Sequence, residues 1–123
     1  GTATTFDVLI KDIYHGGVIA PGLKLSLNTL IDKATLIPNL NLKKTNKVIG
    51  INTLSAVRSG FFWGYIGLIN SIVQLIQKET GKSFKIISTG GFSYLFKNSM
   101  GKKIIINKDI TIKGLIKASN LIK

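Results

Sequence analysis

The longest uncharged segment of the chain, residues 59–77, constrains the fold more than any other feature. Its 19 residues are enough to form a membrane-spanning helix. However, polar side chains recur on one side of this helix and apolar side chains on the other. The polar set is Asn70, Ser71, Gln74 and Gln77, and the apolar set is Phe62, Ile66, Ile69, Val73 and Ile76. We therefore predict a buried or interfacial amphipathic helix over about 52–80, with no membrane span and with Gly81 as its stop signal.

The composition is that of one ordinary domain. A chain of 123 residues with 45% hydrophobic content can bury a core. The absence of cysteine excludes a disulfide framework and thiolate chemistry and is compatible with the cytoplasm, which we predict as the location. One histidine and five acidic residues leave few ligands for a metal site. The first residue is not methionine and no signal-peptide pattern follows, which indicates an excised piece of a longer protein.

The net charge of +12 raises the question of a nucleic-acid partner, because lysines neutralise phosphates without reading sequence. Arg58 is the single arginine among the 17 basic residues, whereas base readout and bidentate phosphate contacts favour arginine. We therefore predict that most of this charge is solvated surface and that nucleic acid is not a partner. Part of the charge could still concentrate an anionic substrate such as a nucleotide.

Local patterns predict the order β-β-α-α-β-α-β-α. A hairpin is expected first, with strands 4–10 and 13–20, a polar turn at Lys11 and Asp12, and a bend or bulge at Gly16-Gly17. The later elements are a helix from Leu23 to about Ala34, a surface loop over 36–47, the helix over 52–80, a short buried strand over 84–88, a turn at 89–91, a short helix over 92–97, a strand over 104–106 and a closing helix over 111–122. Strands that alternate with helices predict an α/β layered fold.

The first residues have the composition of a phosphate-binding turn. Gly1 allows close approach of the backbone to a phosphate, and the hydroxyls of Thr2, Thr4 and Thr5 supply donors just before a strand. The alternative is an ordinary turn, which has the same composition more often. Local chemistry alone leaves both readings open.

Three motifs, in order along the whole chain, resemble those of the type III pantothenate kinases, which belong to the acetate kinase, sugar kinase, Hsp70 and actin superfamily. The motifs are Gly1-Thr2-Ala3-Thr4-Thr5-Phe6-Asp7, then Gly16-Gly17-Val18-Ile19-Ala20-Pro21-Gly22 with Leu25-Ser26-Leu27, and Ile49-Gly50-Ile51-Asn52-Thr53 with Ser59-Gly60 and Gly64-Tyr65. Two lesser ones are Ser88-Thr89-Gly90-Gly91 and Asp109-Ile110-Thr111-Ile112-Lys113-Gly114-Leu115. Each motif is short, and their order and spacing carry the resemblance.

The resemblance implies ATP-dependent phosphorylation of pantothenate to 4′-phosphopantothenate, at the entry to coenzyme A synthesis. It implies that residues 1–123 are the second, C-terminal domain of an actin-like, ribonuclease H-like ATPase fold, a mixed sheet with helices on its faces. The family's N-terminal domain carries an Asp-x-Gly-Asn-Thr run and a Gly-x-Asp-Arg segment, and neither occurs in this chain. Two domains would close on the nucleotide, because phosphoryl transfer depends on positioning and charge stabilisation.

The resemblance also implies the site residues. Thr2, with Gly1 and Thr4, maps to the ATP-binding second phosphate loop, and Gly90 and Gly91 map to the adenine and ribose pocket. Thr53, with Asn52, maps to the pantothenate pocket. Each has a simpler structural alternative, namely a turn-capping threonine, a β-to-α turn and a helix cap.

No catalytic or metal-binding residue is expected within this chain. The resemblance implies that the aspartate acting as catalytic base lies in the absent Gly-x-Asp-Arg segment. The aspartate that binds a monovalent cation, K⁺ or NH₄⁺, would lie two residues before Gly1. ATP would be used with Mg²⁺.

His15, Arg58 and the aromatic residues within 61–65 are further candidates for a functional or structural role. We interpret His15, beside the glycine pair, as structural or near a protomer contact, and Arg58 as a member of a surface or interface ion pair, although it could reach an anion. The four aromatic residues within 61–65 exceed what one helix face can bury, so we expect some of them in a homodimer interface, as the family resemblance implies. One well-buried core helix is the alternative.

Three other functions stay open from the sequence. The chain could be a catalytically inactive remnant that only folds and dimerises, or a basic nucleic-acid-binding module with steeply salt-dependent affinity. It could also belong to a phosphotransferase of the same superfamily that acts on another small alcohol. The leading hypothesis is the pantothenate kinase fragment, inactive on its own.

Overall fold

A computed structural model describes residues 2–100 and 104–122 of the chain. The chain forms two compact units, Gly1–Phe61 and Phe62–Lys123, and the boundary between them falls within one long helix. Among the described residues, four strands and four helices follow one another in the order β-β-α-α-β-α-β-α, which confirms the predicted order. Within the described residues the strands form two separate pairs, one antiparallel and one parallel.

The first unit begins with a hairpin of β1 (Ala3–Ile10) and β2 (Ile13–Pro21). The two-residue connection has positive φ at both positions, 50° at Lys11 and 64° at Asp12. This is the geometry of a type I′ turn, whose twist matches the twist of the paired strands. Side chains of β1 alternate between exposed and half-buried, as a strand with one covered face requires.

The predicted bulge lies at the expected place in β2. Asp7 pairs with Gly17 and Leu9 pairs with Tyr14, so β2 contributes one more residue than β1 between these two pairs. Gly16 has a φ of 103°, which a side chain would strain. Gly17 has an ordinary φ, but a Cβ there would overlap the carbonyl oxygen of Phe6 on the facing strand. The two adjacent glycines are therefore required for different reasons.

Helix α1 (Leu23–Lys33) follows the hairpin directly. The backbone N–H of Gly22, its N-cap residue, donates to the carbonyl of Thr2 (2.9 Å), so the helix start is joined to the start of β1. Leu23 and Leu27 are buried on one side of α1, and Leu40 from the loop that follows is also buried. These leucines form the apolar core of the first unit.

Helix α2 (Thr53–Thr80) has nearly the predicted bounds, and Gly81 follows it with a φ of 67°. Phe62 and Ile66 are buried, and the rest of the predicted apolar stripe is half-buried. The helix is long and apolar enough to cross a membrane, with a mean hydropathy of 1.3 and 28% of its most apolar 18-residue window buried. A single helix of this length and composition is weak evidence for a membrane span, because core helices of soluble proteins meet the same criterion.

The second unit contains a parallel pair, β3 (Ile86–Ser88) and β4 (Ile104–Ile106), connected through the one-turn helix α3 (Ser93–Phe96). The prediction of a buried strand over 84–88 was wrong in two respects: the strand is shorter, and Ile87 is 43% exposed. A two-stranded ribbon leaves one face open, so an apolar run alone overstates burial here. Phe62 anchors the core of this unit, stacked on Phe96 at 5.7 Å and edge-on to Trp63 at 5.0 Å between ring centroids.

Helix α4 (Ile110–Ile122) ends the chain. Lys113 donates its backbone N–H to the carbonyl of Asp109, the residue before the helix (2.8 Å). Every side chain from Thr111 to Ile122 is exposed, including five large apolar ones. The predicted closing helix is present, and its apolar side chains are not covered by the described residues.

Candidate functional site

The predicted phosphate loop lies at the start of the hairpin. Thr2 is exposed, and its backbone carbonyl accepts the hydrogen bond from Gly22. Thr4 is half-buried, and its hydroxyl donates across the hairpin to the carbonyl of Pro21 (3.3 Å). The Thr4 hydroxyl is therefore used in a hydrogen bond to Pro21 of the second sequence motif, whereas the Thr2 side chain is accessible. Gly1 lies outside the described residues.

The predicted acceptor site lies at the N-terminus of α2. The Asn52 side-chain oxygen accepts from the backbone N–H of Ser55 (2.8 Å), and the Ser55 hydroxyl oxygen accepts from the backbone N–H of Asn52 (3.1 Å). The Ser55 hydroxyl also accepts from Ile51 (3.0 Å). These reciprocal bonds form a capping box in which serine takes the usual place of glutamate. They fix Thr53, which is exposed, as the first residue of the helix.

Two further contacts hold the segment before α2 against the helix. A Cβ on Gly50 would overlap the backbone of Ala56, so only glycine allows the chain to approach the first turn this closely. Ser59, the buried polar residue of the described core, donates its hydroxyl to the carbonyl of Val48. Three positions of the third sequence motif, Gly50, Asn52 and Ser59, are therefore explained by packing and capping.

A shallow, open cavity of about 290 Å³ lies beside the second turn of α2. It is lined by Asn39, Leu40, Asn41, Leu54 and Arg58. The Arg58 side chain crosses to the loop, where its Nε donates to the carbonyl of Asn41 (3.1 Å). Among the described residues the partner of Arg58 is thus a neutral carbonyl, and the surface or interface ion pair stays a prediction.

The predicted adenine and ribose loop lies at the carboxyl ends of the parallel strands. Gly90 has a φ of 103°, and a Cβ added there or at Gly91 would meet open space. The loop is tied to the end of β4 by the backbone N–H of Asn107, which donates to Ser88 (2.9 Å). The carboxyl ends of parallel strands are where α/β folds bind ligands, so Gly90 and Gly91 have the placement and the backbone freedom that a nucleotide loop needs.

His15 and the acidic residues form no further centre in the described chain. His15 is exposed at the bulge of β2. Among residues 2–100 and 104–122, no group of three histidine, cysteine or acidic side chains could hold a metal ion. The candidate residues of the two units, taken separately, therefore offer hydroxyls, backbone amides, glycines and one guanidinium.

Sequence reasoning missed Ser55 and the two asparagines of the cavity. The spacing Asn52-x-x-Ser55 is a signal for Ser55 in the sequence, because it differs from a capping box only at the fourth residue, which is usually glutamate or glutamine. No comparable signal marks Asn39 and Asn41, because the loop that holds them has no periodicity.

The chain is similar to known proteins over its whole length. A sequence model of the type III pantothenate kinase family matches residues 1–75. The protein of Pelagibacter ubique (strain HTCC1062) named type III pantothenate kinase is 75% identical over 123 residues, which is 100% of this chain and 50% of that protein. The chain belongs to the type III pantothenate kinase family.

More distant relatives give the same family name. The type III pantothenate kinases of Ruegeria sp. (strain TM1040) and Paracoccus denitrificans (strain Pd 1222) are 46% and 47% identical over 116 residues. This covers 94% of the chain and 45% of each relative. The chain thus spans about half the length of the curated relatives it matches, and it corresponds to their C-terminal half.

A crystal structure from Campylobacter jejuni, of a protein assigned to the Baf family of transcriptional activators, has the same fold. The TM-score is 0.67 at 22% sequence identity, over 94% of this chain and 52% of that one. At this identity the likeness concerns the fold alone. It supports an α/β fold for this chain.

Proposed function

We propose that this chain, joined to an N-terminal half like that of its relatives, phosphorylates the terminal hydroxyl of pantothenate with ATP, the first step of coenzyme A synthesis. The observation that carries the proposal is the 75% identity, over the whole chain, to a protein named type III pantothenate kinase. In this proposal the chain is the C-terminal actin-like domain, and the catalytic base lies in the other half.

The described residues suit the proposed binding of ATP, which supplies the phosphoryl group. The Thr2 hydroxyl is accessible at the start of the hairpin, and Gly90 and Gly91 can lie against a flat base because no side chain covers them. Thr4 would position this loop through its bond to Pro21. We further propose that Mg²⁺ and a monovalent cation, K⁺ or NH₄⁺, neutralise the phosphate charge, since phosphoryl transfer requires such neutralisation.

The N-terminus of α2 suits the proposed binding of pantothenate. Thr53 presents an exposed hydroxyl at the first position of the helix, where backbone amides are not used by the helix itself. Asn52 uses its side-chain oxygen to cap the helix, so it would hold Thr53 in place while its amide group remains able to contact the substrate. The other half of the protein would then bring the base to the hydroxyl that is phosphorylated.

A homodimer in the cytoplasm completes the proposal. Phe61, Trp63 and Tyr65 are only half-buried around the fully buried Phe62. The indole N–H of Trp63 is buried without a hydrogen-bond partner among the described residues. A buried donor of this kind normally has an acceptor, and a second protomer could provide it.

The activity can be tested with a fusion protein in which the N-terminal half of the Pelagibacter ubique relative precedes this chain. ADP release is measured with and without pantothenate, in potassium and magnesium. Pantothenate-dependent turnover is expected. Thr53→Ala should raise the KM for pantothenate about tenfold, because a hydrogen bond to a charged or polar ligand contributes about 1–1.5 kcal/mol.

Thr80→Ala is the matched control, because it removes the same hydroxyl at the other end of α2, where Thr80 donates to the carbonyl of Ile76 (2.8 Å). This variant should keep the KM of the unmodified fusion protein. A folded fusion protein that releases no ADP in response to pantothenate would contradict the proposal and favour an inactive remnant or another alcohol substrate. Equal effects of the two substitutions on KM would contradict the assignment of Thr53 alone.

A further inference from the structure

The aromatic residues at α3 fall into two groups. Phe96 is 4% exposed and stacks on Phe62, so it anchors α3 in the core of the second unit. Phe92 and Tyr94 are 38% and 69% exposed, and neither ring stacks on another ring among the described residues. Exposed aromatic residues are common on protein surfaces, so exposure alone assigns no role. For Tyr94, the position in the turn supplies the further argument.

Tyr94 lies on the same side of this turn as Gly91. The backbone N–H of Ser93 donates to the carbonyl of Gly90 (3.3 Å), which closes the turn that leads into α3. Gly91 and Tyr94 are three residues apart along it, and residues at this spacing are neighbours on one face. Helical side chains also lean toward the preceding turn, which here contains the two glycines. The phenol ring is therefore placed beside the glycine pair.

The surface beside Tyr94 is open. A Cβ added at Gly90 or Gly91 would meet no atom within 4 Å, so no side chain covers the backbone there. The Ser88 hydroxyl donates to the Ser93 hydroxyl (3.0 Å), so this donor is already used within the loop. An aromatic ring next to uncovered backbone suits a planar ligand that is held by stacking more than by side-chain hydrogen bonds.

The segment that carries Tyr94 is held at both ends. Before the glycines, the carbonyl of Ser88 accepts the backbone N–H of Asn107 (2.9 Å), and the Thr89 hydroxyl donates to the carbonyl of Lys108 (3.5 Å). After them, α3 is anchored by its buried phenylalanine. A ring on such a fixed support loses little conformational freedom when a ligand binds, so more of the stacking energy is available for affinity.

We propose that the ring of Tyr94 stacks on the nucleobase of the phosphoryl donor, while the backbone at Gly90 and Gly91 contacts the same base. This inference rests on the proposed kinase function and adds a specificity-determining residue to it. Stacking needs a π-face rather than a pattern of donors and acceptors, and larger bases stack more strongly. Tyr94 therefore favours purine over pyrimidine nucleotides and does not separate adenine from guanine.

The test measures kcat/KM for ATP, GTP and CTP in the fusion protein and in its Tyr94→Leu variant. The value for ATP should fall about tenfold, because a stacked base is lost. The ratio of ATP to CTP should fall about threefold, since the smaller base loses less, and the ratio of ATP to GTP should stay the same. These ratios do not depend on the fraction of active protein, so partial misfolding cannot imitate the effect.

Tyr14→Leu is the matched control, because it makes the same substitution at a tyrosine that is 63% exposed on the hairpin. It should leave all three values unchanged. Tyr94→Phe keeps the ring and should also retain them. Unchanged values in Tyr94→Leu, with normal turnover of ATP, would overturn the role of Tyr94 alone. Equal losses in Tyr94→Phe and Tyr94→Leu would also overturn it, because they would assign the effect to the hydroxyl.

A binding measurement keeps the proposal testable where Tyr94→Leu yields no active protein. In Tyr94→Trp, ATP should quench the fluorescence of the new indole, and inorganic tripolyphosphate, which has no base, should not. The unmodified fusion protein supplies the background from Trp63 and any other tryptophan. Quenching no stronger than this background would overturn stacking at this position. No turnover of any nucleotide by the unmodified fusion protein would contradict the kinase function, and the role of Tyr94 in it.

Discussion

Gly17 illustrates how a single side chain can be excluded by a facing strand. Its φ is ordinary, yet a Cβ would overlap the Phe6 carbonyl oxygen and lie 3.2 Å from the carbonyl carbon. Backbone on both sides of this contact is held by hydrogen-bonded strand pairing, so neither strand can move away cheaply. The motif Gly16-Gly17 therefore stabilises the hairpin that carries Thr2, whether or not it touches a ligand.

We expect Gly17→Ala to lower the free energy of unfolding of the fusion protein by about 1–3 kcal/mol, the usual cost of overpacking. Chemical denaturation monitored by circular dichroism measures it. Gly67→Ala is the control, because a Cβ on this exposed helical glycine meets nothing within 4 Å. That variant should gain up to about 1 kcal/mol from helix propensity. Equal stability of the two variants would contradict this prediction, because it would show that the β1 backbone at Phe6 moves to accommodate the added Cβ.

Helix α2 begins where it does because of local bonds rather than because of its apolar stripe. The Ser55 hydroxyl accepts two backbone N–H groups, those of Ile51 and Asn52, that would otherwise lack partners at the helix start. The cap fixes Thr53 as the first residue of α2. The same hydrogen bonds therefore stabilise the helix and position the proposed acceptor-site residue.

We expect Ser55→Ala to cost about 1 kcal/mol of stability, the typical value for losing a cap. Ser71→Ala is the matched control, because Ser71 is exposed on the same helix and both substitutions bring the same gain in helix propensity. The difference between the two denaturation midpoints isolates the cap. A difference near zero would mean that Asn52 alone fixes the helix start.

The strands and helices differ in how accurately the sequence predicts their bounds and burial. The hairpin and α2 were predicted almost to the residue, because alternation, a polar turn and a glycine after the helix are local signals. The exposure of Ile87 could not be predicted, because it depends on what packs against the strand. The cavity at Arg58 needs the path of an irregular loop, which no periodicity encodes.

For the whole molecule, the main fact is that the chain spans half the length of its relatives and exposes much apolar surface. Ile112, Leu115, Ile116, Leu121 and Ile122 of α4 are each 57–85% exposed. The four described strands form two-stranded sheets, so each pair has unpaired edges within the described residues. Both features favour association with further polypeptide over a stable isolated monomer.

We expect the 123-residue chain alone to self-associate, with a sedimentation coefficient that rises with loading concentration. Placing lysine at both Leu115 and Ile116 should weaken this association, because it puts two like charges on the apolar side of α4. Leu36→Lys is the control, since Leu36 is 88% exposed in a loop outside α4 and should leave the association unchanged. A chain that sediments as a monomer at every concentration would contradict the prediction and show that the exposed apolar surface does not drive association. Association that persists in the double variant would instead assign it to the sheet edges or to the aromatic residues of α2.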